Sequence, residues 1–320
     1  MFFSVVIPVY NRPEETRELL LSLTKQEFKN FEVIIIEDGS SIFCKPAVLS
    51  FESQLSLHYF YQANQGQGFA RNNGMSKAQG AYFVLFDSDC IVPPHYLQTL
   101  YDAIHTRKLD AHGGPDAARE DFSKVQKALN FSMTSWLTTG GIRGKMKQLN
   151  KYQARGYNMG LSREVFKHTQ GFVDANKGED IELSIRIKKL GYKLELVQDA
   201  YVYHKRKNTF ASFFKQSFSF GRNRVNVSRY HKGSIKIVHL LPLGFLLGWM
   251  AWIAGSCIDQ TVMYLGSLLF GLWTLLVLVS SSYLNKSLVV GVYSVFSSYG
   301  QLFSYGSGLF YEWILKLRKG

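Results

Sequence analysis

Along the 320 residues the pattern of apolar and polar positions changes once, and sharply. Up to about residue 236, short apolar runs alternate with charged and turn-forming stretches; from Ile237 onward charge nearly vanishes. Ser4–Val9 is an apolar run that predicts a buried strand, closed by Asn11. Pro13, Glu14 and Glu15 supply first-turn helix chemistry, and Thr16, Leu19, Leu20 and Leu23 share one face. Phe31–Ile36 predicts a second strand, stopped by the turn-forming cluster Glu37-Asp38-Gly39-Ser40-Ser41. His58–Tyr61 predicts a third. A loop with Asn64, Gly66 and Gly68 leads into a helix through Ala70, Asn73 and Ala78, and Ala81–Phe86 predicts a fourth strand ending at Asp87. Strands and helices alternate at βαβ spacing. The expected fold is therefore α/β, a mostly parallel sheet flanked by helices, followed by a C-terminal membrane helical region. Ligands of such sheets sit at the carboxyl ends of strands, where Asn11, Asp38 and Asp87 fall.

Farther along, residues 138–157 interleave Gly140, Gly141, Gly144 and Gly156 with Arg143, Lys145, Lys147, Lys151 and Arg155, which predicts a mobile cationic loop. It lacks the spacing of a P-loop. Residues 179–190 fit two periods. The alternation of Ile181, Leu183, Ile185 and Ile187 suits a strand. Leu183, Ile187 and Leu190 with Gly191 behind them suit a helix, and Lys188 and Lys189 near the end decide for the helix. A short strand is expected over 194–202. Three segments, 237–258, 261–284 and 287–311, are each long enough to cross a bilayer core, for which about 20 residues suffice. In the third, Gly300, Ser304 and Gly308 form a small-residue stripe suited to helix packing. The expected division is a catalytic domain over 1–232 and a membrane-associated region over 233–320.

Charge refines this division. Lys and Arg outnumber Asp and Glu by 37 to 24, a net +13. Between Ala200 and Lys236 no acidic residue occurs, yet Lys205, Arg206, Lys207, Lys215, Arg222, Arg224, Arg229 and Lys232 do. A basic block beside an apolar span suits an anionic membrane lipid surface, at about 1 kcal/mol per charge. Nucleic acid is not expected as a partner, because no recognised binding signature accompanies the charge. The block also predicts that its end of the first span lies inside. Two spans would return the chain near Lys286, and a third would put Lys316, Arg318 and Lys319 outside, so the third segment is expected to be interfacial or re-entrant. Cys44, Cys90 and Cys257 are too few and scattered for a disulfide framework or a zinc site, which fits a reducing compartment. Met1–Tyr10 has no basic n-region and reads as a strand rather than a signal peptide. The expected location is the cell membrane, with the catalytic domain on its cytoplasmic face.

Two acidic groups carry candidate chemistry. Asp87-Ser88-Asp89, at a strand end, can offer oxygen ligands to a hard divalent cation shared with substrate phosphates. Glu179-Asp180 opens a helix after Gly178, and there the pair is either first-turn capping or a general base for an acceptor hydroxyl.

Six segments in fixed order then carry a resemblance: Val5-Val6-Ile7-Pro8-Val9-Tyr10-Asn11-Arg12, Glu37-Asp38-Gly39-Ser40-Ser41, Asn64 to Gly74 with Ala70-Arg71-Asn72, Asp87-Ser88-Asp89, Asn158-Met159-Gly160 and Gly178-Glu179-Asp180. Over roughly residues 3–205 the chain resembles the family 2 inverting glycosyltransferases. The resemblance implies a glycosyltransferase A-type fold and Mg²⁺ or Mn²⁺ as cofactor. It implies that Pro8, Tyr10 and Asp38 contact the base, with Asp38 on a pyrimidine edge, which favours a UDP-sugar. Arg71 would touch the nucleotide, Asp87 the ribose and metal, and Asp89 the metal. Asp180 would be the base and Glu179 its support. His204 resembles a third metal ligand of some relatives, and is otherwise a surface histidine. The Q-x-x-R-W motif of processive synthases is missing after Gln216, so one sugar is expected to be added at a time. Arg222 or Arg224 would stabilise the leaving diphosphate or a lipid headgroup. Phe210, Phe213, Phe214, Phe218 and Phe220 form either an interfacial amphipathic segment or a core stripe. The expected acceptor is lipid-linked or a membrane-proximal glycan. Two other functions fit less well. A nucleotide-sugar-binding scaffold would not need every catalytic carboxylate, and a sugar nucleotidyltransferase would carry a Gly- and Arg/Lys-rich loop where Asn11-Arg12-Pro13-Glu14-Glu15 stands.

Overall fold

The computed structural model describes residues 1–117, 123–139, 152–204 and 209–319, the His204 and Lys319 side chains excepted. The expected cationic loop lies outside these over 140–151. The chain forms two compact units, Met1–Arg119 with Lys147–Lys205, and Glu120–Met146 with Arg206–Gly320.

The first unit is α/β. Its elements in order are β1 (Phe3–Val9), α1 (Pro13–Thr24), β2 (Phe31–Asp38), α2 (Lys45–Leu49), β3 (Leu57–Gln62), α3 (Gln67–Lys77), β4 (Tyr82–Phe86), β5 (Cys90–Ile91), α4 (Tyr96–Arg107), β6 (Ala111–Gly113) and β7 (Asp116–Ala117). After α5 (Lys124–Thr134) and α6 (Trp136–Thr139) of the other unit come β8 (Asn158–Ser162), α7 (Arg163–Thr169), α8 (Glu179–Lys189), β9 (Leu194–Leu196) and β10 (Val202–His204). Seven strands build the main sheet in the order β3-β2-β1-β4-β8-β6-β9. The first four are mutually parallel, as expected of βαβ units, and β8 runs antiparallel to β4 and β6. β1, β2 and β4 are apolar without alternation because both faces are covered: Val5, Ile7, Ile35 and Val84 pack into one core layer and Val6, Ile34 and Phe83 into the other.

The expected strand over 194–202 is instead two short strands. A turn at Val197, where the Ala200 N–H donates to the Val197 carbonyl, sends β9 to the main sheet and β10 to a small sheet between β5 and β7. Glu179–Lys189 is helical as expected, with Leu190 as its C-cap, and Gly191 takes φ +86°, the left-handed position that ends a helix.

The second unit is helical: α5, α6, α9 (Phe210–Tyr230), α10 (Ile237–Ser256), α11 (Gln260–Asn285) and α12 (Leu288–Lys319). Two of them, α10 and α11, are long and apolar enough to cross a membrane. The third apolar segment lies in α12, a continuous helix of 32 residues with no turn of the kind a re-entrant segment needs. Close packing of α9 on α12 explains the small-residue stripe. A Cβ on Gly308 would fall 2.0 Å from the Phe218 carbonyl oxygen, and one on Gly221 would fall 2.1 Å from that of Tyr305. Of the phenylalanines on α9, Phe213 is buried, on the stripe with Ser217, Gly221 and Val225 that is covered.

Candidate active site

The carboxyl ends of β1, β2 and β4 form one rim, and each loop that leaves it is fixed by side chains of its neighbours. After β1, Asn11 sits in the left-handed region at φ +54°, which Asn tolerates. Its Oδ1 accepts from the backbone N–H groups of Ser41 and Ile42 at 2.8 and 2.9 Å, tying the β1 loop to the β2 loop. Pro8 is buried in β1, and Tyr10 at the strand end is exposed.

After β2 the two acids of Glu37-Asp38 divide the work. Glu37 is fully buried and accepts from Ser40 Oγ, the Cys44 N–H and Tyr59 Oη, so it folds the turn. Asp38 Oδ1 accepts from Gln62 Nε2 at 2.7 Å and the Gln65 N–H at 2.9 Å, and Oδ2 accepts from the Gly66 N–H at 2.8 Å. Asp38 thereby shapes the loop that enters α3. A carboxylate offers about four acceptor positions, so one remains for a further donor. Gly39 is required by close approach, since its φ is +73° and a Cβ would lie 2.5 Å from the Asn64 nitrogen.

Arg71, on α3, is the centre of the site. It is fully buried, and its guanidinium lies between the two acidic motifs: 2.5 Å from Asp87 Oδ1 and 3.4 Å from Glu179 Oε1. Gly156 makes room for it, since a Cβ there would fall 2.7–2.9 Å from the guanidinium atoms. One cation thus brings together carboxylates that are far apart in sequence. Asp89, the other half of the first motif, pairs with Arg12. Gln67 Nε2 donates to Glu179 Oε1 at 2.7 Å. Burial and the charge of Asp180 push the Glu179 carboxyl up to about 7, while Arg71 pulls the other way. Asp180 is half-buried; its Oδ2 accepts from the Gly156 N–H at 3.3 Å and its Oδ1 from the Ile181 N–H at 2.7 Å.

The donor set suits a hard divalent cation. Asp87 and Asp89 offer carboxylate oxygens from one strand end, the Asp87 side chain is 30% exposed, and each is balanced by an arginine. Mg²⁺ is usually held by one or two carboxylates, with phosphates and water completing the shell. Among the described residues no group of three or more His, Cys, Asp or Glu side chains gathers as a metal cluster. The backbone of His204 pairs with Cys90 in the small sheet, one residue from Asp89; its side chain lies outside the described residues. Arg222 belongs to the helical unit, where its Nε donates to Glu312 Oε2 at 2.8 Å.

Sequence reasoning missed Arg12 and Gln67 as partners of the acidic motifs. It also missed why Asn158-Met159-Gly160 stands where it does. Asn158 accepts from Tyr96 Oη at 2.6 Å and donates to the Pro115 and Ala200 carbonyls, while a Cβ on Gly160 would strike the Phe83 carbonyl oxygen at 2.3 Å. The motif secures the β4–β8 contact.

Asp38 and Asp87 stand at the carboxyl ends of parallel strands, and Arg71 joins Asp87 to Glu179 at the start of α8, the edge at which α/β sheets take their ligands. The sequence profile of glycosyl transferase family 2 matches residues 4–169, and the chain belongs to that family: it is a glycosyltransferase with a glycosyltransferase A-type fold. Among its relatives, glycosyltransferase AglE of Haloferax volcanii is 24% identical over 254 residues, 78% of this chain and 81% of that protein. An uncharacterized glycosyltransferase of Rickettsia bellii is 40% identical over 86 residues, which are 27% of this chain and 12% of that one. Mannosyltransferase PcManGT from Pyrobaculum calidifontis, solved with GDP-Man and Mn²⁺, superimposes with a TM-score of 0.67 at 16% identity, covering 92% of this chain and 86% of that one. S. aureus TarS, solved with UDP-GlcNAc, gives 0.51 at 17% identity over 94% and 90%. At these identities the structural likeness is one of fold.

Proposed function

We propose that this glycosyltransferase transfers a single sugar, with inversion and with a divalent metal, from a nucleotide diphosphate sugar to a hydroxyl of a lipid-linked or membrane-proximal glycan. The observation that carries this reading is the bridge made by Arg71, which holds Asp87 and Glu179 on one buried cation and so puts a phosphate-and-metal motif beside a base motif. Nucleotide sugars bound to PcManGT and TarS support the donor class. A UDP-sugar is favoured because the remaining acceptor position on Asp38 suits the imide N–H of a pyrimidine. Exposed Tyr10 and the rigid end of β1 at Pro8 flank the base.

In this reading Asp180 takes the proton of the acceptor hydroxyl as that oxygen attacks the sugar carbon, and Glu179, held by Gln67 and Arg71, positions it. Asp87 and Asp89 would hold Mg²⁺ or Mn²⁺, with His204 as the third protein ligand suggested by its register next to Asp89. The cation supplies positive charge against the departing diphosphate. A single displacement needs one base and no protein nucleophile, which is why inversion is the expected outcome. The apolar faces of α10 and α11 support work at a membrane, and the basic stretch before Ile237 favours the cytoplasmic face for the catalytic unit.

The test is Asp180→Asn in the full chain. Loss of a general base lowers kcat by about 10²–10⁴-fold. Donor binding and the unfolding temperature should be kept. Near-normal turnover with UDP- or GDP-sugars would remove Asp180 from the base role.

A further inference from the structure

The helical unit has its own charged cluster, which the reaction does not use. Glu312 on α12 is 6% exposed at its side chain and is shared by two arginines of α9: Arg222 Nε donates at 2.8 Å and the Arg229 guanidinium at 2.9 Å. One turn on, Lys316 Nζ donates to Ser228 Oγ at 2.9 Å. From Thr209 to Lys319 the acidic residues are Asp259 and Glu312. Asp259 is committed to the start of α11, where it accepts from the Thr261 N–H. Two arginines therefore share one carboxylate, and Lys316 follows one turn farther along α12. Beside them lies a cavity of about 380 Å³, with Val225, Ile235, Trp313 and Leu317 as apolar walls and Ser228 and Lys316 as the polar ones. That volume is within the range of about 300–1,000 Å³ usual for ligand sites. Ile235 stands just before α10, so the chain enters its apolar, exposed stretch directly from the cavity wall.

We propose that this cavity binds a phosphomonoester lipid, the phosphate against Lys316 and Ser228 and the first methylenes against Val225, Trp313 and Leu317, with Arg222 and Arg229 adding positive charge from the same helix as Ser228. A neutral or zwitterionic headgroup leaves the excess positive charge uncompensated. Free phosphate gains nothing from the apolar walls. Charge-assisted bonds from an ammonium to phosphate are the strong kind, and Lys316 keeps further N–H groups beyond the one given to Ser228. The inference rests on the helical unit alone and stands apart from the reaction proposed above.

Direct binding tests it without turnover. The full chain in dodecyl maltoside micelles is titrated by calorimetry with dioctanoyl phosphatidic acid, dioctanoyl phosphatidylcholine and inorganic phosphate. The expected result is saturable binding of the phosphatidic acid, with the other two weaker by about tenfold or more. Lys316→Glu and, at the exposed lip, Leu317→Asp should each weaken it by at least about tenfold with the unfolding temperature unchanged. Equal binding of phosphatidylcholine makes the cavity an apolar groove, and equal binding of phosphate makes it an anion site; either overturns the proposal. So does binding that is not saturable, or that survives both substitutions.

Discussion

The two units place their apolar and polar residues in opposite ways. In the α/β unit Val5, Ile7, Ile35 and Val84 have no exposed surface. In the helical unit α10 has no buried residue, and Leu268, Leu272 and Leu276 on α11 are 60%, 53% and 54% exposed, while Ser281, Ser294, Ser297, Ser298 and Glu312 are buried. One surface is polar and the other apolar, as suits the candidate membrane spans α10 and α11; in hydrocarbon, helices gain nothing by hiding leucine and associate through small and hydrogen-bonding residues. Buried polarity consequently has two meanings in one chain. In the first unit it holds charge ready at a strand rim. In the second it joins helices, as where Ser132 of α5 meets Ser297 and Ser298 of α12.

The largest stability effect should come from the first kind. Arg71→Ala leaves Asp87 and Glu179 without their shared cation in a buried place. Breaking such a pair costs about 3–5 kcal/mol, so the α/β unit should unfold about 10 °C earlier. Thermal unfolding of the full chain reads this. In the helical unit the parallel change, Glu312→Ala, frees Arg222 and Arg229, whose side chains are already 38% and 34% exposed. Solvent screening limits that loss to about 1 kcal/mol or less. Equal losses in the two variants would erase the distinction between the two kinds of burial.

Between these extremes lies the α9–α12 contact. Gly308→Ala puts a methyl group where only 2.0 Å separates the new carbon from the Phe218 carbonyl oxygen. Overpacking of this kind costs about 1–3 kcal/mol. Gly271→Ala on α11 meets nothing within 4 Å and should be neutral or slightly stabilising. Unfolding temperatures in detergent compare the two; a harmless Gly308→Ala would mean that the helices are not held by close approach.

What was legible in the sequence follows from the same physics. The strands β1, β2, β3 and β4 announce themselves because apolar runs bounded by turns survive any tertiary context. β6 and β8 do not. One has three residues with His112 at its middle, and the other carries Asn158 and Gly160, so neither has a run to detect. The acidic residues Asp38, Asp87 and Asp180 are visible as polar positions at element ends. The partners of the neighbouring Asp89 and Glu179 are not, because Arg12 is 77 residues from Asp89 and Gln67 is 112 from Glu179. Nor does sequence show that Arg71 is buried, since an arginine on a helix reads as solvated until packing encloses it.

One further effect is specific to the α/β unit. Glu179 has an ordinary carboxyl value of 4.5 when unfolded and is pushed up to about 7 when folded, chiefly by burial. Between those values the folded chain binds more protons than the unfolded one. Stability from this group is therefore present below about 4.5 and lost as pH rises through about 7. Glu179→Gln removes the titration, so the decline in unfolding temperature over that interval should flatten while the rest of the profile is kept. Because Gln can still accept from Gln67 and Arg71, the loss of the group's charge is separated from loss of its contacts. A profile with the same slope in both proteins would mean that Glu179 stays ionised beside Arg71, and that the site holds its second carboxylate by ion pairing alone.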